Sequence, residues 1–298
     1  MQINEPPAGT IVVGVDGSES CKHALTYAID QAVAERRPLT LVHAVGAPGA
    51  LWLDQQGHDS RLGVEDVKTD SQRLVENARG EVARTAPGLD VHVVVRVADP
   101  RDVLLAQAEQ ASLVVVGSRG RGPMRTLLLG SVSVAVTRHA TCPVVVVRPG
   151  HPGIVRHGVL VGADGTERSQ APMDFAFQQA SIRRLPLTVM HAFWDVRATI
   201  EAAHVVSGRG EDIEEQRLLL AECVAGLREK YPDVPVRTEL ARGLPAECLV
   251  QMGQRMNLVV VGSHHGGAAS EVLFGSVAAS VVEHATCPVA VVPTGTRE

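Results

Sequence analysis

Apolar positions along the chain follow two periods that alternate. Thr10–Val15 is a short β-branched run, and Cys21, Ala24, Leu25, Ala28 and Ala32 then follow at helical spacing. Next come a predicted strand at Leu39–Val45, a helix from about Val64 to Ala86, a strand at Leu89–Val97 and a helix at Pro100–Ala111. A strand at Leu113–Gly117, a helix after Ser131 and a strand at Val144–Arg148 complete the series, and the same order repeats from Gly158 to Val292. Five strands alternating with four helices predict an α/β fold. Each copy is expected to be an open, doubly wound, five-stranded parallel sheet of Rossmann-like type, with helices on both faces and right-handed crossovers.

The repetition extends to residue identity. Gly117–Val147 recurs 145 residues later as Gly262–Val292, and 20 of the 36 positions aligned between Leu113–Arg148 and Leu258–Pro293 are identical. Val13–Ser18 matches Val161–Thr166, and Pro38–Ala44 matches Pro186–Ala192, both at an offset of 148. Two tandem domains are expected, 1–150 and 151–298, joined at Pro149-Gly150-His151-Pro152-Gly153, where prolines and glycines break regular structure. The last strand of each copy, Val144–Arg148 and Val289–Pro293, is expected at a sheet edge. Pairing of those edges would give a pseudo-twofold dimer within one chain, with a homodimer of whole chains as a further option. Core strands simply covered by helices are the alternative.

Composition narrows the class. A 298-residue chain with 45% hydrophobic residues and only 3% aromatics must fill its cores with aliphatic side chains. A formal net charge of −5 argues against electrostatic binding of nucleic acid. No apolar run approaches the roughly 18 residues of a membrane span. The opening M-Q-I-N-E-P-P lacks a basic and then apolar leader, and five scattered cysteines fit free thiols. A cytoplasmic location is expected.

The repeated glycine pattern carries the chemistry. In such sheets ligands bind beyond the carboxyl ends of the strands, where the strand order reverses. If the first and fourth strands flank that reversal, Asp16 and Gly117 open onto one crevice, as do Asp164 and Gly262. Gly117-Ser118-Arg119-Gly120-Arg121-Gly122 follows a buried-type strand, and Gly130-Ser131 opens a helix. Glycines admit close approach of an anion, Ser131 suits a helix N-cap, and free N–H groups at the helix start attract phosphate oxygens. Arg119, Arg121 and Arg125 add positive charge. There is no G-K-[ST] of a Walker loop, and Gly14-x-x-Gly17 is not the dinucleotide fingerprint. A glycine turn that merely joins strand to helix is the plainer reading.

Gly117, Gly120, Gly130 and Ser131 form G-x2-G-x9-G-S, and with V-G-V-D-G-S, the strand ending His43-Ala44 and the final C-P-V-V-V-V the chain resembles the universal stress protein family. The similarity covers nearly the whole chain and looks like the tandem-domain branch with the adenine nucleotide α-hydrolase-like fold. It implies ATP, with Mg²⁺, in each half. Gly14 and Asp16 would lie near ribose and adenine, backbone near Ala44 would line the adenine pocket, and Gly117–Pro123 would form the phosphate loop. Gly130, Ser131, Val132 and Ser133 would supply helix-start contacts. The second-half counterparts are Gly162, Asp164, Ala192, Gly262, Ser263, His264, His265, Gly266, Gly267, Ala268, Gly275, Ser276 and Val277. There His265 replaces Gly120 and the loop arginines are gone, so a tighter first site and a weaker or vacant second site are expected. A left-handed backbone at Gly120 would make that exchange cost about 1–2 kcal/mol. Gly117→Ala is expected to lower occupancy while leaving the sheet intact.

Other candidates have simpler roles. His43 and His191 suit strand-end capping better than metal binding, His139 and His284 suit helix C-termini, and Cys142 and Cys287 suit small buried thiols. His264-His265 lacks a third ligand at zinc spacing. Trp52, with Leu51 and Leu53, suits a packed loop anchor. Asp16 has a turn-capping alternative to ligand binding. No oriented base or activated nucleophile stands beside Gly117, which favours an ATP-binding regulatory protein with an unassigned protein partner. A slow ATPase, a nucleotidyl transferase and a nucleotide-free scaffold are the alternatives.

Overall fold

A computed structural model describes residues 6–46, 60–120, 129–148, 157–193, 204–205, 211–263 and 275–294. The chain divides into two compact units, Met1–Val147 and Arg148–Glu298. The joint at 149–153 and Leu51–Leu53 lie outside the described residues.

The first unit runs β1 (Ile11–Gly14), α1 (Glu19–Glu35), β2 (Leu39–Val45), α2 (Ser60–Thr85), β3 (Val91–Val97), α3 (Pro100–Ala108), β4 (Leu113–Gly117), α4 (Ser131–His139) and β5 (Val144–Val147). Ile11, Val12 and Val13 are wholly buried, as are Leu39 and Leu41. Continuous apolar runs of this kind suit strands covered on both faces. Ser18 starts α1 by accepting the Cys21 amide at 3.2 Å, and Arg36 ends it in the left-handed conformation, φ 53°. Arg184 ends the equivalent helix of the second unit with the same φ.

Strand order in the first sheet is β3-β2-β1-β4-β5, all parallel. The order reverses between β1 and β4, which pair through Ile11–Leu113 and Val13–Val115. Asp16 and Gly117 thus stand at adjacent strand ends.

The second unit repeats the plan: β6 (Val159–Gly162), α5 (Gln170–Arg183), β7 (Leu187–Phe193), β8 (His204–Val205), α6 (Glu211–Lys230), β9 (Val236–Arg242), α7 (Pro245–Gly253), β10 (Leu258–Ser263), α8 (Ser276–His284) and β11 (Val289–Pro293). Its reversal lies between β6 and β10. Two features depart from a plain copy. The two-residue β8 adds an antiparallel sixth strand beside Ala241 and Arg242 of β9. A 3₁₀ turn, Glu167–Ser169, precedes α5, whereas α1 begins directly after its cap.

Both cores are chiefly aliphatic. Fully buried Phe177, stacked on Tyr231 at 5.7 Å between ring centroids, is the aromatic exception in the second. Among the described residues no helix is long and apolar enough to cross a membrane.

Candidate functional site

The turn after β1 is held at three points. The Val15 amide donates to Val42 O at 2.8 Å, the Ser18 amide donates to Asp16 Oδ1 at 2.9 Å, and Gly17 takes φ 77°. Asp16 therefore organises its own turn through one oxygen. Ser18 Oγ also donates to the Arg119 carbonyl at 3.2 Å, which joins the β1 turn to the segment after β4.

Asp164 is held more firmly. Its Oδ1 accepts from the Thr166 amide (2.9 Å), Thr166 Oγ1 (2.7 Å) and Ser169 Oγ (2.6 Å), while its own amide donates to Ser169 Oγ at 2.9 Å. Gly165 takes φ 81°, and a Cβ there would lie 2.0 Å from Leu219 Cδ2. The position aligned with Ser169 is Cys21, whose thiol pKa is pushed up chiefly by burial. A thiol is the weaker hydrogen-bond partner. The two aspartates thus differ in how tightly they are fastened.

The glycine segment shows which groups remain available to a ligand. Gly117 is needed for packing: a Cβ would sit 2.8 Å from the Ser20 carbonyl carbon. Ser118 is buried, its amide donates to Val147 O at 3.0 Å, and its carbonyl accepts from Gly130 at 2.8 Å. Its amide therefore serves the scaffold and is not available to a phosphate.

Gly120 is not in the left-handed region. Its constraint is space, because a Cβ would lie 2.9 Å from Asp16 Oδ2. Replacing Gly120 by a larger residue is therefore opposed by crowding against Asp16 and not by a left-handed backbone. Arg119 is exposed. Arg121, Gly122, Pro123 and Arg125 lie outside the described residues, as do His264, His265, Gly266, Gly267 and Ala268.

At the start of α4 the N-cap is Gly130 (φ −76°, ψ 150°), not Ser131, which is the first helical residue. Glycine has no side chain to cap with, so the first-turn amides of Ser131 and Val132 receive no cap bond. Ser133 is buried and its hydroxyl donates to the Gly117 carbonyl at 2.6 Å, tying α4 to β4. Gly275 plays the N-cap part for α8, again without a side-chain bond, followed by Ser276 and Val277. Ser263 is buried, and its carbonyl accepts from the Thr294 hydroxyl.

In the second unit these elements line an open crevice of about 270 Å³. Gly162, Asp164, Ala192, Gly262 and Val277 all line it, on a floor that includes Met190, Leu249 and Val261. Gly162 also packs against α7, where a Cβ would be 3.0 Å from Leu249 Cδ1. Gly14 faces Leu104 of α3 at 3.4 Å in the same sense. Ala44, like Ala192, is half-buried near the end of its strand.

Sequence reasoning missed Arg168. It lines the crevice from the 3₁₀ turn, whose start Thr166 caps through the Arg168 amide at 3.3 Å. It aligns with Ser20, outside the glycine motif, so comparison of the two motifs alone could not find it. The second half, whose loop lacks those arginines in sequence, thus has a cation lining its crevice from the 3₁₀ turn.

The remaining candidates are structural. His43 and His191 hydrogen-bond the turns after β1 and β6. His139 and His284 close α4 and α8, and Cys142 and Cys287 are buried. All five cysteines are free. Among the described residues no group of three or more His, Cys, Asp or Glu could hold a metal ion.

Each half thus sets an aspartate turn and an uncapped helix start around the ends of two strands at a strand-order reversal, which defines a duplicated α/β protein with a ligand-type crevice. The chain belongs to the universal stress protein family, whose sequence model matches residues 8–148 and 156–293. It is 34% identical over 295 residues to a universal stress protein of Mycolicibacterium smegmatis, covering 95% of this chain and 96% of the relative. To a universal stress protein of Mycobacterium tuberculosis it is 37% identical over 292 residues, covering 94% and 96%. The solved universal stress protein from Archaeoglobus fulgidus DSM 4304 shares the fold, with a TM-score of 0.70, 19% identity and 98% of each chain covered.

Proposed function

We propose that this protein binds ATP in the crevice of each half and acts in the cytoplasm as a nucleotide-dependent regulatory module of the stress response. The observation that carries the reading is the make-up of the second-half crevice. An apolar floor of Met190, Leu249 and Val261 meets Asp164, Arg168 and the uncapped start of α8 in one open space. A flat apolar base and a polyanionic tail require that combination.

Adenine rests beside Ala44 and Ala192, and phosphates lie against the helix starts at Gly130-Ser131-Val132 and Gly275-Ser276-Val277. Asp16 accepts from ribose hydroxyls. Mg²⁺ enters with the phosphates it neutralises. The first half, with its full glycine spacing and arginines, holds nucleotide more tightly than the second.

Regulation rather than catalysis fits the residues present. In the second crevice the Ser169 hydroxyl is engaged with Asp164 at both ends of its bonding capacity, and among the described residues no histidine lines the space. Hydrolysis supported by such a site is slow at most.

Denaturing the purified protein and separating the released small molecules by chromatography tests this reading. ATP is the expected product. A protein that releases no nucleotide and also fails to bind added Mg-ATP overturns it.

A further inference from the structure

We infer that His43 and His191 are positioning residues for the two crevices: each imidazole fixes the peptide plane that precedes the crevice aspartate. In both halves the first strand extends one amide beyond its end. Val15 N–H donates to Val42 O and Ala163 N–H donates to Met190 O, each at 2.8 Å. The carbonyls of those same residues are taken by a side chain. His43 Nδ1 lies 2.6 Å from Val15 O, and His191 Nδ1 lies 2.9 Å from Ala163 O.

A carbonyl oxygen carries no hydrogen, so Nδ1–H is the donor in both rings, which sets the tautomer. The next residues are Asp16 and Asp164, followed by Gly17 and Gly165 at positive φ. An aspartate at such a turn has freedom to swing unless the plane before it is fixed. The imidazole fixes it from the neighbouring strand.

His43 is 6% exposed, and its other nitrogen lies 3.2 Å from Ser71 Oγ of α2. The ring is therefore held from both sides. A nitrogen that donates to a carbonyl has no lone pair for a metal, so the same geometry takes Nδ1 out of metal coordination. The arrangement occurs twice in one chain, which is what a shared functional constraint would maintain through the divergence of the loops around it.

The consequence for ligand binding rests on the nucleotide reading above; the positional claim does not. Hydrogen exchange read by mass spectrometry on the nucleotide-free full chain tests the position. An asparagine amide nitrogen falls near Nδ1, whereas that of glutamine falls near Nε2, so the two separate donation from mere filling of space. His43→Leu and His43→Gln are expected to speed exchange at Asp16–Cys21 by roughly three- to tenfold, the loss of one hydrogen bond. His43→Asn is expected to restore protection, with Ala163–Ser169 unchanged throughout.

The reciprocal His191 series should act on Ala163–Ser169 alone, and it decides the matter if His43→Leu fails to fold. Wild-type exchange in the Leu and Gln variants, or equal protection by Asn and Gln, would overturn the proposal. ATP titrations of the same variants should follow the exchange ranking. Altered exchange in the variants, together with a wild-type protein that binds no ATP, would leave the positioning role standing and reject the nucleotide reading.

Discussion

Two glycines three residues apart, Gly117 and Gly120, should respond oppositely to the same added methyl group. An alanine at 117 would bring Cβ to 2.8 Å from both the carbonyl carbon and Cβ of Ser20, and to 2.9 Å from its carbonyl oxygen. Those atoms belong to the first turn of α1 and cannot move without the helix. Overpacking of this kind costs about 1–3 kcal/mol. In a unit of this size each kcal/mol lowers the melting temperature by about 2–4 °C, so Gly117→Ala should lose roughly 2–12 °C.

Among the described residues, an alanine at 120 would meet only Asp16 Oδ2, at 2.9 Å, the end of a side chain that can rotate away. Stability should hardly change. The carboxylate, however, would be displaced from the crevice, and the loss of one hydrogen bond to a charged group, about 1.5–3 kcal/mol, weakens ATP binding roughly tenfold or more. Thermal melts and ATP titrations of both variants make the comparison. Equal melting losses in the two, or unchanged affinity in Gly120→Ala, would refute the reasoning. Gly117→Ala is in consequence a probe of packing, and lowered occupancy in it would not by itself report on a phosphate loop.

Three further outcomes are expected. Asp164→Ala removes three hydrogen bonds to one oxygen and should cost the second unit about 1–3 kcal/mol by chemical denaturation, whereas Asp16→Ala, which loses the Ser18 amide bond and a weak thiol bond from Cys21, should cost less. Equal losses would contradict the different fastening of the two turns. Arg168→Gln should weaken nucleotide binding in the second half by about tenfold and leave the first unchanged, as separate-site titrations would show.

Asp99 caps α3, and its bonds to the Arg101 guanidinium and amide lower its carboxyl pKa to about 2. Because the folded value lies below the unfolded one, the stabilisation is fully present above about pH 4 and disappears as pH falls toward 2. Asp99→Asn should flatten that part of the stability profile; an unchanged acid limb would exclude the cap as a contributor.

Much of the fold was legible because the signals were local. Leu39–Val45 and Leu113–Gly117 are apolar, largely β-branched runs bounded by Pro38 and Gly117, and both strands form with those limits. The alternation of strands and helices predicts a doubly wound sheet but not where its order reverses; the β1–β4 reversal entered as a condition, which the observed strand order meets. The two-residue β8 was not legible, since His204–Val205 has no period and no counterpart in the first copy.

Site residues were harder for a physical reason: a motif names glycines and serines without saying which way their atoms are used. Ser118 and Ser133 spend their polar groups on the scaffold, Gly117 serves a helix contact, and Gly120 serves a carboxylate. Arg168 lay beyond reach because its place in the crevice depends on a 3₁₀ turn where the first half has a continuous helix.

The central claim is that the crevice at each strand-order reversal takes ATP. Calorimetric titration of Mg-ATP into nucleotide-stripped full chain tests it most directly, run beside the Gly120→Ala variant. The account predicts two classes of binding, the tighter one weakened selectively by Gly120→Ala. Absence of binding heat in the stripped wild-type chain, with no nucleotide retained after gel filtration, would contradict it.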